Sequence, residues 1–167
     1  MNIKKVSVDK EGTGMGWGAV YAQYLESMDQ IGEQGNGLSV SRQLYKGDEA
    51  LNESAPLKVG DRITVRLTVK ADRDMDFVQI KDDRAACMEP LQAVSGFRWG
   101  NGLGYYQATK DASTQFFIDQ MRKGTYVIEY QVYVNRTGEY QAGIATVQSA
   151  YAPEFGGHTR GYRVMVE

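Results

Sequence analysis

The chain has 167 residues, with 19 Lys and Arg against 21 Asp and Glu, a formal net charge of −2 and 42% hydrophobic content. That length suffices for one domain with a real core, or for one domain plus an extension. The balance of charge excludes the clustered basic face of a nucleic-acid binder, and the apolar content excludes a disordered segment.

The elements read, in chain order, as short strands. The first two candidates are Ile3–Val8 and Trp17–Leu25. The stretch AVYAQYLESMDQI within and after the second also fits a short helix, but its aromatic content favours strand. Leu38–Tyr45 follows, and then a long polar connection over 45–61. The clearest alternation is in RITVRLTVKAD, where Ile63, Val65, Leu67 and Val69 point one way and Arg62, Thr64, Arg66 and Thr68 the other. This is a half-buried strand with one wet face. Phe77–Lys81 is a further candidate, followed by a loop over 95–106 with an Asn101-Gly102 turn. Gly104–Lys110 and Thr114–Ile118 come next. In GTYVIEYQVYVNRTG one face holds Tyr126, Ile128, Tyr130, Val132 and Val134. Ile144–Ala150 and the tail with Tyr162, Val164 and Val166 complete the set. About ten short strands with glycine-rich turns predict an all-β fold, an antiparallel two-sheet sandwich of the immunoglobulin-like kind. Residues 1–56 read as N-terminal strands and a connection leading into a core over 57–167.

Few residues carry chemistry. One Cys cannot form an internal disulfide, and one Cys with one His excludes nearly every common zinc site. The run GTGMGWG fits no dinucleotide-binding frame, because Trp17, Ala19 and Tyr21 stand where a third glycine is required. Asp72, Asp74 and Asp76 begin like a calcium loop, but Phe77 and Asp83 occupy the positions that need Gly and Glu. His158 and Cys87 have no nucleophile elbow around them, and no spacing selects a carboxylate pair. The expectation is therefore a non-enzyme with no cofactor and no metal. No apolar run approaches the ~18 residues of a membrane helix, and the N-terminus lacks the apolar region of a signal peptide. Trp17, Trp99, Tyr105 and Tyr106 leave a sugar-binding module open as an alternative, against a reading of the same rings as packing residues.

Five segments occur in an order that carries a resemblance. LSVSRQLYK (38–46) is followed by LKVGDRITVRLTV (57–69) and MDFVQIKDDRAACMEP (75–90). Then come DASTQFFIDQMRKGTYVIEYQVYVNRTGEYQAG (111–143) and VQSAYAPEFGGHTRG (147–161). Over about 130 residues this resembles the C-terminal macroglobulin-like, receptor-binding-like domain of bacterial alpha-2-macroglobulin family proteins, of the Bacteroides type. The run Ala85-Ala86-Cys87-Met88 departs from the Pro-Ala-Gly-Phe type common in that family, which bears on local loop shape only.

The resemblance implies a domain cut from a much longer protease-trapping protein of the periplasm or cell envelope. Its partners would be the thioester-type domain of the same parent chain, which it helps to shield, and target proteases met through the parent. The tripeptide Gly32-Glu33-Gln34 matches part of the family's thioester motif, but Ile31 stands in place of the cysteine and supplies no sulfur. It reads as a surface turn. The contacts expected for docking are Phe97, Trp99, Asn101, Tyr105 and Tyr106 in one loop and Tyr151, Glu154 and His158 in another, since aromatic anchors dominate interfaces.

Overall fold

The computed structural model describes residues 7–18, 25–52 and 55–167. Ile3–Val8 and Trp17–Leu25 fall mostly outside the described residues; the parts inside them, at 7–8, 17–18 and 25, are irregular. From Gln34 onward the chain is a strand-rich antiparallel sandwich, in agreement with the sequence.

One layer has the order β6 (Met88–Pro90), β10 (Gly124–Val134), β4 (Arg62–Ala71), β2 (Leu38–Lys46), with the short β3 (Glu49–Ala50) folded back on β2. The other has the order β12 (Ala145–Ser149), β5 (Met75–Asp83), β9 (Ser113–Met121), β8 (Leu103–Thr109), β7 (Gly96–Gly100). Two short strands join them at a corner: β1 (Gln34–Asn36) meets β2 through the pair Asn36–Leu38, and β13 (Gly156–His158) lies between β1 and β12. A separate ribbon pairs β11 (Gly138–Ala142) with β14 (Tyr162–Val166), and Leu57 bridges its end at Val166.

The alternation read from the sequence sets the core. Ile63, Val65, Leu67 and Val69 on β4 and Ile128, Tyr130, Val132 and Val134 on β10 are all buried. They face Val78, Ile80, Phe116, Ile118 and Val147 of the other layer, and the rings of Phe116 and Tyr130 meet between the layers with centroids 5.9 Å apart. Leu38 and Val40 are equally buried, so the core draws on residues well before position 57. The stretch over 95–106 is a hairpin rather than an irregular loop. Phe97 pairs with Tyr106 and Trp99 with Gly104, and Asn101 and Gly102 make the turn with φ of +52° and +75°. Two consecutive residues with positive φ are what a two-residue hairpin turn of this kind demands.

Polar groups also hold the layers together. The guanidinium of Arg42 on β2 crosses to the carboxylate of Asp82 on β5 and donates to the carbonyl of Gly143 at 2.6 Å. The Tyr130 hydroxyl donates to Asp82 at 2.7 Å, and Arg42 lies 4.5 Å over the Tyr162 ring. Arg84 donates to Thr114 Oγ1 and to the Asp111 carbonyl, pinning the end of β5 to the β8–β9 turn.

Candidate functional site

The outward face of the layer β12-β5-β9-β8-β7 carries most of the exposed aromatic surface of the sandwich. On β7, Phe97 is 79% exposed and Trp99 80% exposed. The Phe97 ring meets Tyr106 edge-on, with centroids 5.1 Å apart. Trp99 lies across Gly104, where a Cβ would sit 2.7 Å from its ring carbons, so glycine is what lets the indole lie against the sheet. Asn101 donates from Nδ2 to the carbonyl of Val127 at 3.0 Å and anchors the turn beside them.

Tyr105 is placed differently. It points inward, edge-on to Phe116 at 5.6 Å, and burial pushes its hydroxyl pKa up against the opposing pull of Arg98. Tyr105 and Tyr106 are neighbours on one strand, so they occupy opposite faces.

At the far end of the same face sits Tyr151, 79% exposed. Its ring meets that of Phe77 edge-on at 5.0 Å. Phe77 interrupts β5 with a φ of +52°, and its carbonyl accepts from Ala150 N at 2.8 Å. A bulky residue in this left-handed region is an uncommon conformation, and such strain persists only where the surroundings hold it. Nothing in the sequence marks Phe77 for it. Glu154 is exposed, and its carbonyl accepts from the Asn36 amide at 2.7 Å. His158 is half-buried on β13, with Nδ1 3.1 Å from the Thr159 carbonyl.

The register arranges this face in rows. Phe97 on β7, Tyr106 on β8, Phe117 on β9, Gln79 on β5, Gln148 on β12, Gly156 on β13 and Asn36 on β1 are paired in succession. The next row runs Ala108, Gln115, Lys81, Thr146, His158, Gln34. Phe117 belongs here, exposed, while its neighbour Phe116 is buried. The pair FF within STQFFIDQM carried that signal: period-2 alternation sends one ring to each face.

Among the described residues no group of three or more His, Cys, Asp or Glu side chains is placed to hold a metal ion. Asp74 instead accepts from the Lys123 backbone N–H at 2.7 Å, and Asp72 pairs with Arg73. Cys87 is buried, and burial raises its thiol pKa. Among the described residues no helix is long and apolar enough to cross a membrane.

The antiparallel sandwich superposes on solved alpha-2-macroglobulins. A tyrosine-to-glycine mutant of Salmonella alpha-2-macroglobulin superposes with a TM-score of 0.70 at 19% identity, over 81% of this chain and 10% of that one. Native Escherichia coli alpha-2-macroglobulin from domain MG7 to the C-terminus gives a TM-score of 0.68 at 17% identity, over 81% of this chain and 24% of that one. The model of the bacterial alpha-2-macroglobulin MG10 domain matches residues 37–154, and the chain belongs to that family. In sequence it is also 27% identical over 166 residues to Circularly permutated Ras protein 2 of Dictyostelium discoideum, across 95% of this chain. The chain spans only about 4% of that relative's length.

Proposed function

We propose that this MG10 domain is a non-catalytic packing module of an alpha-2-macroglobulin-like protease inhibitor in the periplasm or cell envelope. It docks on the thioester-type domain of its parent chain and shields it until a protease cleaves the parent. The observation that carries this reading is the exposed aromatic surface at the two ends of the outer face. Trp99, Phe77 and Tyr151 are exposed there on rigid strands and hairpins, with Phe77 held in a strained backbone conformation against Tyr151. Exposed aromatic anchors on a preorganised scaffold suit a buried contact, where Tyr and Trp contribute most. Family membership supports the parent chain as the partner, since MG10 is one domain among several in such proteins.

The test uses the full-length parent. Trp99→Ala with Tyr151→Ala should speed methylamine incorporation at the thioester, or protease sensitivity of the uncleaved form where the thioester is lacking. A double variant whose closed form is as long-lived as the unsubstituted protein would overturn the docking reading.

A further inference from the structure

One row on the outer face holds Phe97 and Tyr106 of the expected docking contacts but neither Trp99 nor Tyr151, on which the docking test turns. Phe97, Tyr106, Phe117, Gln79, Gln148, Gly156 and Asn36 come from seven successive strands, lie in one register, and include no charged residue. The row begins in three aromatic rings and ends in amides. Beyond Gln148 it opens into a groove of about 430 Å³ lined by Gln34, Asn36, Thr146, Gln148, Pro153, Glu154 and His158. Gly156 and Gly157 form its floor. Both must be glycine, because a Cβ at either would fall within 3 Å of backbone oxygens.

We propose that this face binds a neutral glycan chain lying across the strands, with its sugar rings over the aromatic half and its hydroxyl or acetamide groups in the amide groove. Three observations select this ligand class. The first is charge. In the neighbouring row the one lysine is Lys81, and Asp83 pairs with it at 2.9 Å; His158 in that row is half-buried with Nδ1 3.1 Å from the Thr159 carbonyl. Glu154 stands at the groove's rim with its side chain in solvent. No unpaired lysine or arginine lies in the two rows to hold an anionic ligand, and no carboxylate pair lies in them to hold a cationic one.

The second is hydrogen-bonding capacity. Asn36 and Gln148 use their amide nitrogens on the carbonyls of Glu154 and Pro153, and their carbonyl oxygens remain as acceptors. Gln34 makes no side-chain hydrogen bond among the described residues. Amides that both donate and accept match hydroxyl and acetamide groups, which do the same.

The third is the backbone. β13 is paired on both sides, by β1 and β12, and β12 by β13 and β5. A peptide cannot add to these strands by main-chain pairing, which is how extended peptides bind a sheet. What remains is side-chain recognition over a long, shallow, uncharged track, with a few placed polar groups beside aromatic surface.

The inference does not rest on docking. Trp99 and Tyr151 lie outside this row, so the two readings fail separately. The experiment titrates this chain with chitotetraose, and with cellotetraose as a second neutral probe, following amide NMR signals. Saturable shifts are expected at Gln79, Gln148, Gly156 and Gly157. Gln148→Ala and Phe117→Ala should each weaken binding at least about tenfold, while Trp99→Ala and Tyr151→Ala leave it unchanged. These are surface substitutions, expected to leave the unfolding midpoint nearly unchanged. Absence of saturable shifts with both sugars at millimolar concentration would overturn the proposal. So would binding indifferent to Gln148→Ala and Phe117→Ala. If no sugar binds but Phe117→Ala loosens the closed parent, the row belongs to a protein contact instead.

Discussion

Arg42 and Asp82 form an ion pair across the sandwich, between β2 and β5, with both side chains almost wholly removed from water. Burial by itself lowers the Arg42 pKa, but Asp82, Tyr162 and Tyr130 together outweigh it and the net displacement is upward. A pair of this kind contributes little relative to apolar replacements but is costly to break from one side. Asp82→Ala leaves the guanidinium uncompensated and also strips the Tyr130 hydroxyl of its acceptor. It should destabilise the domain by about 3–5 kcal/mol in urea unfolding. The double variant Arg42→Met with Asp82→Leu should cost clearly less than Asp82→Ala alone. If the single variant unfolds at the unsubstituted midpoint, the pair does not tie the layers.

The same cluster fixes the alkaline limit. Burial, reinforced by Asp82 and opposed by Arg42, pushes the Tyr162 hydroxyl up to about 12. Tyr130 is raised well above its ordinary value, again first by burial and then by Asp82. A tyrosine in the unfolded chain ionises at about 10. The folded pKa is the higher one, so this contribution to stability is fully present below about pH 10 and falls away as pH rises towards the folded value. Tyrosinate absorbance should therefore show a fraction of tyrosines titrating late, together with unfolding. Tyr162→Phe should flatten the loss of stability between about pH 10 and 12. A single titration of all tyrosines near the ordinary value, with the fold intact, would contradict this.

Core packing gives a third expectation. Phe116 is fully buried and touches both Tyr105 and Tyr130. Phe116→Ala should cost about 3–5 kcal/mol, through lost burial and the cavity left behind. Phe117→Ala, one residue away on the wet face, should move the denaturation midpoint little. Equal effects at the two positions would show that the alternation on β9 is read wrongly.

Gly157 tests the corner between layers. A Cβ there would lie 2.7 Å from the carbonyl oxygens of both Gln34 and Leu38. Backbone cannot yield as a flexible side chain would, so Gly157→Ala should destabilise by about 1–3 kcal/mol. Gly100→Ala, with open space around the added methyl, serves as the control. Thermal unfolding of the two variants checks the contrast.

What the sequence made legible followed from period. β4 and β10 alternate strictly, and their inward residues could be named in advance because one face of each is apolar throughout. The Asn101-Gly102 turn was equally plain, yet the hairpin around it was not, because Gly96, Arg98, Gly100 and Gly104 dilute the alternation of Phe97 and Trp99. Adjacent aromatics were harder. Tyr105-Tyr106 and Phe116-Phe117 each place one ring on either face, and only the register shows which. The Phe77–Tyr151 contact was out of reach, since it depends on a left-handed phenylalanine that no local pattern announces. Short strands such as β1 and β13 have almost no apolar content, and tertiary pairing alone makes them strands.

That corner has a mechanical meaning. Because β1 and β13 carry hydrogen bonding from β2 through to β12, an unbroken ladder runs from β6 in one layer to β7 in the other. The two layers are leaves of one folded ribbon rather than two plates held by contact alone. Shear applied to the aromatic face is then borne by the whole ladder, so the domain would transmit a load from a neighbour without its leaves sliding apart.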